Sequence, residues 1–201
     1  MVTVTECTTL GKGRLRFHLD NGTELVLYRG EAKQFRMREG STLSDEEEHQ
    51  LIYEVVGKRA KRRTMHLLEQ MDRTEQQLRE KLKQGGYPQA CIDLALEYVK
   101  SFHYVDDYRY ACTYINYRQD RMSRYQLKVK LYGKGVSGEL IDRALEECYE
   151  GDEQEQIIRL LEKKKFDAQN SDPKEFTRVY QYLMRRGFRS NDVLHAMKSK
   201  Q

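Results

Sequence analysis

Hydrophobic and polar positions repeat one pattern three times in the later part of the chain. The copies span 82–96, 131–145 and 183–197. Each opens on Leu, has Gly four residues later, and continues with apolar positions at the spacing of one helix face. The glycines are Gly86, Gly135 and Gly187. The pattern predicts a helix that ends at a left-handed Gly in a Schellman motif, followed by a second amphipathic helix.

A helix-capping residue precedes each copy of this pattern. The caps are Thr74, Ser123 and Asp172, and each is followed three residues later by Gln or Glu. Successive caps are 49 residues apart, whereas the glycines are separated by 49 and then 52 residues, so the middle helix of the third unit should be longer by three residues. Repeats of this length without strand signals indicate stacked three-helix units. We predict these units at 57–105, 106–151 and 152–201.

Residues 1–56 show a different, period-two alternation that is typical of β-strands. We predict strands at 2–5, 15–19 and 24–28, with a type I′ hairpin turn at Asn21-Gly22. So small a sheet needs another element to pack against. A capping box at Ser44 then begins a long linking helix, in which Gly57 is a candidate break. The predicted fold class is mainly α, with this antiparallel β-sheet region and linking helix before three tandem three-helix repeats.

The joint between the first two repeats, 102–111, contains two adjacent carboxylates and several aromatic residues. Asp106 or Asp107 is placed to cap the following helix, and we interpret both as structural. That helix carries aromatic or apolar groups nearly all round, which favours a central position. If rings of this segment lie on the surface instead, they could stack on nucleic-acid bases.

Composition narrows the class of protein. Charged residues make up 34% of the chain and there are only two Pro residues, which favours long solvated helices. No apolar run approaches the roughly 20 residues of a membrane span, and the N-terminus does not resemble a signal peptide, so we expect a cytoplasmic protein. The four Cys residues form no C-x-x-C pair, and we expect reduced structural thiols with no metal and no cofactor.

Sequence motifs of catalysis are lacking. The chain contains no P-loop, G-x-S-x-G or H-E-x-x-H motif, and its five His residues are scattered. His103 stands near Asp106 and Asp107, but adjacent positions on a helix point about 100° apart and do not share a site. We therefore predict a protein that is not an enzyme.

Positive charge belongs to the repeats. Residues 1–56 carry 7 Lys and Arg against 10 Asp and Glu, a net charge of −3, and the remainder carries 29 against 22, a net charge of +7. This distribution suggests nucleic acid or an acidic protein surface as a partner. The candidate contact residues are Lys58, Arg59, Arg62, Arg63, Arg118, Arg121, Arg124, Lys128, Lys130, Lys134, Arg185, Arg186 and Arg189.

Several motifs, taken in register, resemble the RecX family of RecA regulators. They are Asp106-Asp107, Arg109-Tyr110-Ala111, Arg118, the Lys134-Gly135-Val136 turn, Ile141 with Ala144-Leu145, Arg185-Arg186-Gly187-Phe188 and, in the N-terminal extension, Arg38-Glu39-Gly40. The chain departs from the family at His103, where Gly is frequent, and at Tyr110, where Phe is frequent. The resemblance covers the three repeats and, more loosely, residues 1–57. The family's aromatic positions fall at Tyr104, Tyr110 and Tyr114, so the resemblance implies core packing for these three residues.

The resemblance implies a curved array of three-helix repeats and a non-enzymatic activity. Family members bind the filament of RecA on single-stranded DNA and restrain recombinase, ATPase and coprotease functions in DNA repair and the SOS response. The implied partners are the RecA filament and single- or double-stranded DNA reached through it, and we expect a monomer. Two alternatives stay open, a stand-alone DNA-binding protein with helix-turn-helix-like units and an adaptor for another acidic protein.

Overall fold

The chain divides into two units by its internal contacts. The computed structural model describes residues 1–199, and its first unit ends at Asp106 while the second begins at Asp107. The fold is mainly α, with a small antiparallel sheet at the N-terminus, as predicted. Within residues 1–199 we find no helix with the length and apolar character that a membrane crossing requires.

Four strands form the sheet, one more than predicted. They are β1 (Val2–Gly11), β2 (Arg14–Leu19), β3 (Glu24–Tyr28) and β4 (Thr42–Leu43), in the order β3-β2-β1-β4. The two-residue β4 is too short to leave a period-two signal in the sequence. The prediction of a type I′ turn was wrong, because such a turn needs positive φ at both central residues and here only Gly22, not Asn21, has it.

Strand β3 shows how the sheet is covered. Its three consecutive residues Leu25, Val26 and Leu27 are all buried, so both faces of this edge strand pack on other elements. The N–H of Val26 donates to the carbonyl of Gly86 at 3.1 Å, which covers part of the exposed edge with the Gly turn of the first repeat. The sheet and the first repeat share one hydrophobic core. This agrees with the expectation that so small a sheet packs on another element.

The linking helix starts as predicted. After α1 (Arg29–Gln34), helix α2 (Asp45–His49) begins with a capping box in which the N–H of Glu47 donates to the Ser44 hydroxyl at 3.1 Å and the N–H of Ser44 donates to the Glu47 carboxylate at 2.9 Å. The helix continues through a π-helical segment (Gln50–Val56) into α3 (Gly57–Gln70).

Gly57 does not break this helix, and that prediction was wrong. The N–H of Gly57 donates to the carbonyl of Ile52, five residues earlier, which keeps the backbone helical in a π turn. A Cβ atom at residue 57 would lie 2.7 Å from Leu94 of helix α5 (Gln89–Ser101). The small residue is therefore needed for close helix packing.

The remaining helices follow the predicted repeats. The first repeat consists of α3, α4 (Glu75–Gln84) and α5. The second consists of α6 (Asp107–Arg118), α7 (Arg124–Tyr132) and α8 (Gly138–Cys148). The third consists of α9 (Glu153–Lys163), α10 (Pro173–Arg185) and α11 (Ser190–Ser199). Helix α10 has 13 residues, against 10 in α4 and 9 in α7, so the middle helix of the third repeat is longer by three or four residues, close to the predicted three.

The caps and the Gly turns have the predicted geometry. Thr74, Ser123 and Asp172 each accept from the N–H three residues later. The three turn glycines, Gly86, Gly135 and Gly187, have φ of 76°, 84° and 79°. In the first repeat, Tyr87 N–H donates to Leu82 at 3.3 Å and Gly86 N–H to Lys83 at 3.0 Å, which are the two bonds of a Schellman motif.

Helix α6 is less covered within its own unit than we predicted. Only Ala111 and Ile115 are fully buried, while Tyr110 and Tyr114 are half-buried and Tyr117 is exposed. Tyr104, before this helix, is 48% exposed, so its predicted core position was wrong. Aromatic rings that look apolar in a sequence pattern here keep one face toward solvent. Asp107 is the first residue of α6, which leaves Asp106 at the N-cap position.

Candidate functional site

The candidate cations lie beside tyrosine rings in many places. The sequence shows the basic residues and the tyrosines as separate groups, because their pairing depends on contacts between helices. A ring under a guanidinium or ammonium group attracts it through the quadrupole of the π-system and limits its rotation. The pairs that bear on the candidate surface lie on α3, on α6 and α7, and on α10.

The exposed face of α3 borders a groove of about 380 Å³. Lys58, Lys61 and Arg62 line the groove, and Tyr98 of α5 forms part of its wall. The Lys61 ammonium lies 5.1 Å from the centre of the Tyr98 ring. Helix periodicity explains the grouping, since positions 58, 61 and 62 are three and four residues apart and the buried face of α3 carries Ala60, Thr64 and Leu67.

Acidic residues neutralise only part of this face. Lys58 pairs with Glu54 at 2.9 Å, and the Glu69 carboxylate lies at the groove margin, 3.6 Å from Nδ1 of His66. The ammonium of Lys58 lowers the pKa of the Glu54 carboxyl through their hydrogen bond. Arg62 and Arg63 are exposed and make no ion pair within residues 1–199. Positive charge on this face is therefore available to an anionic partner.

Arg59 differs from its neighbours in sequence. One guanidinium nitrogen pairs with the Glu31 carboxylate of α1 at 2.5 Å, and the other donates to the Val26 carbonyl of β3. The rings of Tyr28 and Tyr87 lie 5.0 and 5.4 Å from the guanidinium carbon. The group thus joins α3 to the sheet. We therefore assign Arg59 to the packing of the first unit and do not expect it to contact a partner.

In the second repeat, two candidate cations lie beside the tyrosine rings of α6. Tyr110 and Tyr114 lie nearly parallel, with ring centres 6.4 Å apart. The Lys134 ammonium lies 5.3 Å from the Tyr114 ring, and the Arg118 guanidinium lies 5.1 Å from it. Lys134 belongs to the Gly turn after α7, so the turn brings a cation back to the α6 tyrosines. This combination of half-buried rings and cations is the kind of surface that binds anionic or planar groups.

Helix α7 carries candidate cations in two environments. Lys128 pairs with Asp142 of α8 at 2.5 Å, and the Arg124 guanidinium lies 5.9 Å from the Tyr149 ring. Arg121, before the helix, and Lys130 are exposed and make no ion pair within the part of the chain that the structure describes. Of these four, Arg121 and Lys130 are best placed to meet an external anion.

In the third repeat, two cations lie beside the same tyrosine ring. The Arg186 guanidinium lies 4.8 Å and the Lys164 ammonium 4.6 Å from the centre of the Tyr182 ring. Arg185 and Arg189 are exposed. Lys164 directly follows α9 as its C-cap residue, and its contact with the same ring as Arg186 depends on the packing of α9 against α10.

Titratable groups show pairing rather than catalytic activation. The Tyr108 hydroxyl donates to the Glu147 carboxylate, which raises the pKa of Tyr108, and the Arg143 guanidinium beside it lowers the pKa of Glu147. Burial raises the pKa of the Cys91 thiol to about 12 and that of Cys148 to about 11. Groups held in this way are poor nucleophiles at neutral pH. The structure shows no group of three or more metal-ligating side chains within residues 1–199.

Comparisons with known proteins agree on one family. Models of the first, second and third RecX three-helix domains match residues 60–98, 106–145 and 151–197. A regulatory protein RecX from Caldanaerobacter subterraneus subsp. tengcongensis is 29% identical over 162 residues, which cover 80% of each chain. Another from Geobacillus kaustophilus is 33% identical over 159 residues, which cover 77% of this chain and 59% of the relative.

A solved structure supports the same fold. The crystal structure of a regulatory protein RecX aligns with 98% of this chain and 100% of its own, with a TM-score of 0.67 and 21% sequence identity. The alignment includes the N-terminal sheet, which the three domain models do not cover, as well as the repeats. From the three domain matches, the curated relatives and this fold, we conclude that the chain belongs to the RecX family.

Proposed function

We propose that this chain is a non-enzymatic regulator that binds the filament of RecA on single-stranded DNA and restrains RecA recombinase, ATPase and coprotease activity. Family membership carries the proposal, since the relatives are named regulatory proteins. The distribution of cations supports it, because exposed basic residues occur in each of the three repeats and each repeat also holds at least one cation against a tyrosine ring.

A nucleoprotein filament offers such cations two kinds of anion. Phosphates of the DNA and carboxylates of the protein both attract Lys and Arg, and the phosphate contacts release condensed counterions. Cations already held against rings lose less conformational freedom when they meet an anion than freely rotating side chains do. Arg118, Lys134 and Arg186 fit this description, and we expect them to contact the filament together with the exposed Arg121 and Lys130.

Co-sedimentation tests the proposal. The protein is centrifuged with RecA on single-stranded DNA, with RecA alone and with DNA alone. We expect it to pellet with the filament, and far less with RecA alone or with DNA alone. Replacing Arg121 and Lys130 together by Glu should weaken pelleting at least fivefold. A matched control replaces Lys81 and Lys174 by Glu, which changes the net charge equally at exposed residues outside the candidate set.

Two outcomes would contradict the proposal. If the wild-type chain stays in the supernatant with the filament, the filament is not its partner. If the protein binds free DNA with sub-micromolar affinity and a steep salt dependence, and gains nothing from RecA, the stand-alone DNA-binding alternative is correct instead.

A further inference from the structure

Three aromatic side chains form a row on the surface of the first unit, at the end of α5. The rings of Tyr98 and Phe102 lie 5.1 Å apart in an edge-on arrangement, and those of Phe102 and Tyr104 lie 5.7 Å apart and nearly parallel, at 19°. Their exposed fractions are 37%, 53% and 48%. A half-exposed Phe between two exposed Tyr rings makes a contiguous patch of aromatic surface, a feature of interaction sites.

The basic groove on α3 adjoins this row. Tyr98 belongs to both, since its ring is the first of the row and also lines the groove with Lys58, Lys61 and Arg62. The Lys61 ammonium lies over the face of Tyr98. Among the residues that line the groove, Glu69 is the one carboxylate, against three Lys and Arg side chains. The surface therefore has aromatic rings on one side and a net positive charge on the other.

We propose that the row Tyr98–Phe102–Tyr104 and the adjoining α3 groove bind single-stranded nucleic acid directly. The exposed faces of Phe102 and Tyr104 stack on bases, while Lys61 and Arg62 contact phosphates. Exposed rings that follow one another beside cations are the arrangement by which proteins bind single strands without sequence preference, since every base has a π-face. The inference does not rest on the regulation of RecA, because it predicts contact with an oligonucleotide alone.

The ring geometry distinguishes single strands from other ligands. Bases of a duplex are stacked on one another and cannot lie on a protein ring without being unpaired. The Phe102 and Tyr104 rings, 5.7 Å apart, leave too little room for a base between them, because stacked layers are about 3.4 Å apart and insertion needs twice that separation. Bases must therefore stack on the outer faces of the pair. The adjoining cations favour a polyanion over an apolar peptide.

The test uses the full chain without RecA. The sequence contains no Trp, so Phe102→Trp introduces a single reporter within the row. We expect oligo(dT) of about 15 nucleotides, in about 50 mM salt, to quench this Trp and to raise the anisotropy of a labelled oligonucleotide. A control, Tyr117→Trp, places the reporter on a residue that is 85% exposed and lies in the other unit, and its fluorescence should not change.

Substitutions then separate stacking from charge. Phe102→Ala with Tyr104→Ala should weaken oligonucleotide binding at least fivefold, with Tyr117→Ala as the control, and circular dichroism should show both variants folded. An abasic strand of equal length should bind at least fivefold more weakly than oligo(dT). Equal affinity for the two strands, or for the ring variant and its control, would overturn the proposal. If only binding to RecA filaments fell in the ring variant, the row would be a protein contact, and the proposal would also be wrong.

Discussion

The backbone of Gly187 lies directly against the ring of Tyr125, so the Gly turn of the third repeat is also its contact with the second. A Cβ atom at residue 187 would overlap that ring. The Ser123 hydroxyl, two residues before Tyr125, donates to the Arg186 carbonyl at 2.5 Å and fixes the same junction. Gly at this position thus meets two requirements, positive φ and close approach, of which the sequence pattern indicates only the first.

Replacing Gly187 by Ala should lower the free energy of unfolding by about 2 kcal/mol or more, because the side chain is strained at φ 79° and also meets the Tyr125 ring. Gly133→Ala is the matched control. Its φ is −65° and the nearest atom to an added Cβ lies at 3.5 Å, so we expect a change within about 0.5 kcal/mol. Urea denaturation followed by circular dichroism measures both.

A double variant separates the two causes. Tyr125→Ala removes the ring and should restore part of the stability lost in Gly187→Ala, while the strain of positive φ remains. If the two substitutions were simply additive, the close approach of Gly187 to Tyr125 would have no energetic effect.

Local signals in the sequence predicted local structure well. The caps at Ser44, Thr74 and Asp172 and the left-handed glycines depend on neighbours within a few residues, and the structure confirms them. Gly57 failed as a helix break because its environment is set by Leu94 on another helix. A residue's local preference gives no information about such a distant contact, and tertiary packing decided the outcome.

The candidate site was less predictable for the same reason. Arg59, Arg62 and Arg63 look equivalent in the sequence, yet only Arg59 faces β3, some thirty positions earlier in the chain. The row of Tyr98, Phe102 and Tyr104 depends on the way the chain turns at the end of α5. Our expectation of a buried Tyr104 followed the family's aromatic positions, and such a position does not tell a core ring from an exposed one.

Arg59→Gln should destabilise the first unit by about 2 kcal/mol or more, because the Val26 carbonyl and the Glu31 carboxylate lose a charged partner in a mostly buried place. Arg63→Gln, one helical turn later and exposed, should change stability by less than about 0.5 kcal/mol. Thermal denaturation of the two variants compares them. Equal melting temperatures would show that the Arg59 contacts contribute no stability.

His103→Gly should stabilise the first unit by about 0.5 kcal/mol. His103 ends α5 at φ 55°, with its N–H bonded to Lys100 and that of Tyr104 to Val99 in a Schellman motif. The left-handed conformation costs a non-Gly residue roughly 1–2 kcal/mol, of which the greater freedom of Gly in the unfolded chain offsets about half. Glu97→Gly, at an exposed position inside α5, should instead destabilise it by about 0.5–1 kcal/mol. Urea denaturation would contradict the assignment if both variants lost stability.

Stability at alkaline pH should depend on Cys91. Its thiol donates to the Ile52 carbonyl at 3.2 Å, and burial raises its pKa to about 12, above roughly 8.5 for an unfolded Cys. The neutral thiol therefore contributes fully to stability below the unfolded pKa, and that contribution is lost as pH rises toward the folded pKa. At about pH 10 the loss should reach roughly 2 kcal/mol.

The Cys91→Ala variant isolates this effect, because it lacks the titrating thiol. Its free energy of unfolding should be below that of the wild type at neutral pH, and the difference should narrow by roughly 2 kcal/mol at about pH 10. Urea denaturation at the two pH values provides the comparison. A constant difference would mean that Cys91 titrates in the folded chain as it does in the unfolded one.

The central claim is that this chain restrains RecA, and RecA ATPase activity on single-stranded DNA measures it most directly. The rate should fall as the protein is added, starting at substoichiometric amounts, because one bound molecule affects more than its own filament subunit. Replacing Arg121 and Lys130 by Glu should raise the half-inhibitory concentration at least fivefold, and replacing Lys81 and Lys174 by Glu should leave it unchanged. An ATPase rate that stays constant with folded wild-type protein in excess over RecA would contradict the claim.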